Sequence, residues 1–133
     1  MGVHQTPGKV RLFIQMPLGS VRIWPGELDE TIVEAMSALP DRARDPLTLQ
    51  AIGGIRETVE REEGLFSVNV QVPEVKLEPE RKHAFHFGRK PEPGYARIHL
   101  GVHVPAGSSS TVTMGKFEVQ CDEVTNHIQI TFL

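Results

Sequence analysis

Only one cysteine, Cys121, occurs in the 133 residues, so no intrachain disulfide can hold this fold together. A lone thiol suits a reducing compartment, and the expected location is the cytoplasm, or a particle assembled from it. No apolar run approaches the roughly 20 residues that a membrane-spanning helix needs, and the opening MGVHQTPGK lacks the apolar core of a signal peptide. A surplus of positive charge is missing as well. With 14 basic and 17 acidic residues the net charge is −3, which offers no broad attraction to phosphate backbones or anionic lipid. No glycine-rich loop is followed by Lys-Ser or Lys-Thr, which excludes a phosphate cradle of that kind.

What is present is ordinary globular material. A chain that is 39% hydrophobic and 23% charged is not disordered along its whole length, and at this size one domain can fold without a covalent staple. Residues 1–8, polar and broken by Pro7-Gly8, are expected to form a flexible arm, and residues 9–133 a single domain.

Periodicity supplies the elements. Val10, Leu12, Ile14 and Met16 alternate with polar positions and predict a strand. Val21–Trp24 is expected to return antiparallel after Pro17-Leu18-Gly19-Ser20, making an N-terminal hairpin. The spacing of Leu28, Ile32, Val33, Met36 and Leu39 then predicts a helix that stops at Pro40. A second helix is expected from the cap Asp45-Pro46, with Ala51, Ile52, Ile55 and Val59 as its stripe and Gly64 as its end. From Leu65 onward the chain alternates as strands. Phe66, Val68, Val70 and Val72 share one phase, as do Val112 and Met114. Phe117, Val119 and Cys121 follow in the other phase, after a bulge expected at Gly115, and Ile128, Ile130 and Phe132 close the chain. The fold class predicted is α+β: an antiparallel β-rich domain, a small sandwich or curved sheet, with an N-terminal hairpin and two amphipathic helices packed on it.

The cleanest alternation is YARIHLGVHV, Tyr95–Val104. Its polar face, Tyr95, Arg97, His99 and His103, is the candidate interaction face, with Gly101 leaving a gap for close approach. His99 and His103 lie about 13 Å apart along such a strand and cannot ligate one ion together. No spacing signature selects His86, His99, His127, Cys121 or Asp122 as ligands, so no metal and no cofactor is expected. Gly107-Ser108-Ser109-Ser110-Thr111 lacks the trailing glycine of a nucleophile elbow, and the phase of Cys121 predicts a buried, inert thiol.

A second candidate is RKHAFHFGRK, where Arg81, Lys82, Arg89 and Lys90 flank Phe85 and Phe87. Aromatics and cations together are the chemistry of a module for single-stranded nucleic acid or a ligand. The acidic balance of the chain argues against nucleic acid and for contact with an acidic protein surface. The segments FSVNVQVPEVKLE and NHIQITFL, placed after a helix, resemble small bacterial adaptor domains found beside trypsin-like proteases in conflict systems. The arm, bulged strands and mixed-charge loops are similar in architecture to small phage structural proteins. Neither resemblance carries a diagnostic residue, and no function is transferred from either. The leading expectation is a non-catalytic structural, assembly or protein-interaction domain that associates with itself or another protein, with no membrane partner. The alternatives are the nucleic-acid or ligand module, and a metal-dependent enzyme using the histidine-bearing sheet face.

Overall fold

A computed structural model describes residues 2–26, 29–39, 41, 43–77 and 95–132. Within them the chain forms β1 (Gly2–Gln5), β2 (Val10–Met16), β3 (Gly19–Gly26), β4 (Glu30–Ser37), α1 (Pro46–Gly53), β5 (Arg56–Glu62), β6 (Leu65–Gln71), β7 (Ile98–Pro105), β8 (Ser109–Met114), β9 (Phe117–Cys121) and β10 (Ile128–Phe132). Two five-stranded mixed sheets result, in the orders β1-β4-β7-β3-β10 and β5-β6-β2-β8-β9. Their apolar faces share one core, to which β2 gives Val10, Leu12, Ile14 and Met16 and β7 gives Ile98, Leu100, Val102 and Val104. Among the described residues no helix is long and apolar enough to cross a membrane.

The centre is a pair of interlocked arches. β2 leaves its sheet at Pro17-Leu18 and continues as β3 in the opposite sheet, and β7 crosses back through Ala106-Gly107-Ser108 to become β8. β3 then runs parallel to β7 while β2 runs parallel to β8, so each arch clasps the other across the core. The inward positions of these strands face the shared core and are mostly Val, Ile, Leu and Met, with Gly19 and the buried Ser110 as exceptions.

Both corners are locked. At one, the buried Ser108 hydroxyl donates to the Pro105 carbonyl at 2.7 Å and accepts the Val10 N–H at 2.9 Å, tying the second corner to the start of β2. At the other, Gly19 has φ +131°, and a Cβ there would sit 2.1 Å from the Ile98 carbonyl oxygen, so the close approach of β3 to β7 requires glycine. The outer hairpins use two-residue turns that match the strand twist. Glu63 and Gly64 both have positive φ between β5 and β6, and Gly115 takes the first central position between β8 and β9.

These findings correct the α+β expectation. Residues 30–37, expected as helix, form β4. There Thr31, Val33 and Ala35 turn toward the core, while Ile32 and Met36 on the outer face blurred the period of two into a helical one. The second helix is real but short: Asp45 caps it by accepting the Leu47 N–H, Pro46 opens it and Gly54 closes it, and of the rest of the expected stripe Ile55 leads into β5 and Val59 lies within it. The N-terminal hairpin does not form, because β2 and β3 belong to different sheets. The sheets are mixed where an antiparallel arrangement was expected, and Gly2–Gln5, at the place of the expected arm, pairs with β4. Gly115 is a turn residue instead of a bulge.

Two substitutions of opposite sign follow from the buried hydroxyls. Ser108→Ala strands the buried Val10 N–H and should cost about 2 kcal/mol in denaturant unfolding. Thr48, buried in α1, has an Oγ1 without a hydrogen-bond partner, so the isosteric Thr48→Val should leave stability unchanged or raise it by about 1 kcal/mol.

Candidate interaction surface

The outer face of the β1-β4-β7-β3-β10 sheet gathers the chain's unusual side chains. Alternation along β3 turns Val21 and Ile23 inward and Ser20, Arg22 and Trp24 outward, and along β7 it turns His99, Gly101 and His103 outward. Register then sets the rows. Trp24 lies opposite His103, which lies opposite Ile32. Arg22 lies opposite Gly101, which lies opposite Glu34. Ser20 lies opposite His99, which lies opposite Met36.

Trp24 stands at the centre of a three-ring stack. His103 lies on one face of the indole, with centroids 4.6 Å apart and planes 16° from parallel, and His127, just before β10, lies at 5.2 Å and 5°. Both indole faces are therefore covered, and what the tryptophan offers a partner is its edge. That edge leans over Gly101, where an added Cβ would meet Cζ3 at 2.9 Å. The missing side chain opens a hollow of about 260 Å³ lined by Arg22, Trp24, Glu34, Met36 and His99, with a cation and a carboxylate on opposite sides. A row away, the Ser20 hydroxyl is hydrogen-bonded to His99 Nδ1. Ser20 is buried, and among the described residues no carboxylate is hydrogen-bonded to the other imidazole nitrogen.

The remaining expected residues are dispersed. Tyr95 and Arg97 precede β7: Tyr95 bridges Lys76, and the Arg97 carbonyl accepts the Ala38 N–H. Both are half-buried, as His103 is, and both lie before β7, whereas His99 and His103 lie within it. Arg81, Lys82, Arg89 and Lys90 lie outside the described residues. Cys121 is only half-buried, because β9 is an edge strand, and its thiol donates to the Glu123 carbonyl. Ser108, from the candidate serine loop, is spent on the corner described above. Among the described residues no three His, Cys, Asp or Glu side chains come within reach of one ion. A second hollow, about 630 Å³, lies at the far ends of β2, β6 and β8 and has Arg56 and Glu74 among its lining residues. Arg22 and Trp24 are missing from the surface residues expected from the sequence, although their alternation with Val21 and Ile23 is the signal that sets them on the outer face. No signal in the sequence would bring His127 beside them.

At the opposite side of the sandwich, His4 Nε2 and Glu57 Oε1 meet at 2.9 Å and join β1 of one sheet to β5 of the other. Burial of Glu57 opposes its ionisation, but hydrogen-bond donors and positive charge around it, His4 among them, outweigh burial and hold its carboxyl below the ordinary range. Comparison of the chain with family models, with curated proteins and with solved structures finds no match.

Two measurements check this geometry. Gly101→Ala must push the indole off the sheet and out of its stack, so the emission of the protein's one tryptophan should shift to the red, with a loss of about 1–2 kcal/mol. A carboxylate with a lowered folded-state pKa adds stability that is complete above its unfolded value and vanishes as pH falls through the folded one. Glu57→Gln should therefore melt below the parent at neutral pH, with the gap closing in acid below pH 4.5.

Proposed function

We propose that this chain is a non-catalytic interaction and assembly domain that works by associating with further copies of itself. One observation carries the reading: large apolar side chains stand in solvent on regular sheet surface, where packing would have been simple to avoid. Met36 is 63% exposed, Phe117 61%, Val3 59% and Val119 43%. Scattered apolar residues are normal on any surface, and Leu49 of α1 and Phe13 of β2 are of that kind, but these four gather in two places. Val3, Ile32 and Met36 flank the Trp24 stack with Arg22 and Glu34 beside them, an aromatic centre with a charged rim of the kind that anchors protein contacts. Phe117 and Val119 occupy alternate positions of the edge strand β9. An edge also presents unpaired backbone groups, which a second chain can extend.

The reading assigns the histidine-bearing face to contact, because its hydroxyl and imidazoles are used in stacking and hydrogen bonding to one another. Native mass spectrometry and light scattering over a concentration series test it. The expected outcome is a species at an integral multiple of the monomer mass that grows with concentration. A monodisperse monomer at the highest concentration would sink the proposal.

A further inference from the structure

We infer that two copies of this chain pair antiparallel along β9, about a two-fold axis through Val119, so that the two β5-β6-β2-β8-β9 sheets become one continuous sheet. This deepens the assembly reading and rests on it. Among the described residues β9 pairs with β8 on one side and ends its sheet on the other. The tight turn at Gly115-Lys116 closes on Met114 and Phe117, so the backbone groups of Phe117, Val119 and Cys121 point toward β8, and those of Glu118 and Gln120 point toward the open edge.

Symmetry and charge then choose the register. In an antiparallel pair, facing side chains lie on the same side of the sheet, so a two-fold axis must pass through a residue position. An axis at Glu118 would set that carboxylate against its own copy, and one at Gln120 would set Glu118 against Asp122. Like charges directly opposite are destabilising. With the axis at Val119 every pair is complementary. Val119 meets Val119, Phe117 meets Cys121, Lys116 meets Asp122, and Glu118 faces the partner copy's Gln120, whose amide can be shared between it and the Glu118 of its own strand, to which Gln120 donates at 2.6 Å. The two exposed apolar side chains gain neighbours of their own kind, and Phe117 already leans on Phe132 of β10 at 5.2 Å.

The other edge of the same sheet shows the contrast. β5 carries Arg56, Glu57, Glu60, Arg61 and Glu62, the charged dress that protects an edge from pairing. It too could match its copy about Val59, as Arg56 with Glu62 and Glu57 with Arg61. But Glu57 is held by His4, Arg61 lies over the Phe66 ring at 5.7 Å, and Val59 is already partly covered by the core. Pairing there would disturb existing contacts and bury little apolar surface.

Disulfide trapping tests the register. Cys121→Ser removes the native thiol and supplies the background and its negative control. Val119→Cys in that background places two cysteines directly opposite each other at a closely spaced pair, within disulfide reach, and mild oxidation should give a covalent dimer. Glu118→Cys should give little, since its facing residue is Gln120. Lys116→Asp or Asp122→Lys should each lower the Val119→Cys yield about two- to tenfold, from two symmetry-related exposed ion pairs, and the charge-swapped double variant should restore it. In the unmodified chain, the amides of Glu118 and Gln120 should become protected from hydrogen exchange as concentration rises, which serves where a variant fails to fold. The proposal falls if Val59→Cys traps more dimer than Val119→Cys, if the charge swap does not rescue, or if that protection is independent of concentration. Assembly by native mass without trapping at Val119 overturns this register alone. A monomer at every concentration overturns the assembly reading as well.

Discussion

The constraint on which this structure depends is the mutual clasp of two arches. Each arch runs from one sheet into the other, and each of its strands lies parallel to a strand of its counterpart. Such pairings join residues far apart in the chain, and their loop-closure cost is met only when the whole core forms. The two corners show how tightly the arches meet. A serine hydroxyl bonded across 98 residues holds one, and a glycine that no side chain could replace holds the other.

The candidate surfaces lie on the periphery of that clasp. With β3 and β7 fixed in register, Trp24, His103 and Gly101 have no choice but to share one patch of the outer face, and the hollow beside them follows from the absent Cβ. The edges differ because the sandwich closes unequally. On one side His4 and Glu57 bind the sheets together and charges cover β5. On the other, the two phenylalanines meet while Phe117 and Val119 stay in solvent. An asymmetry of this kind lets a β-sandwich associate along one edge without polymerising along both.

Much of the strand content was legible in the alternation of β2, β6, β7 and β8, since burial on one face writes a period of two into the residues. The helix expected across β4 shows where that signal fails. Ile32 and Met36 are apolar for the outer surface and not for the core, and adding them to Val33 imitates a helical stripe. Of the candidate face, His99 and His103 share the outer side of β7, whereas Tyr95 and Arg97 belong to the approach to the strand. The predicted burial of Cys121 failed for a reason that no local pattern contains, because phase says which side of a sheet a residue occupies but not whether the strand lies at its edge.

The sequence by itself determined the inward phase of most strands, the absence of an intrachain disulfide, and the start of α1 at its cap Asp45-Pro46, though not its stop, which falls at Gly54 and not at the expected Gly64. These are local properties, set by side-chain alternation and backbone preference over a few residues. Tertiary structure decided which strands are neighbours, that β2 and β3 part into different sheets, that Trp24 is enclosed by His103 and His127, and that β9 is left at an open edge. Those outcomes depend on pairing between distant segments, where the competing registers are separated by packing and charge across the whole core and no short stretch of chain records the winner.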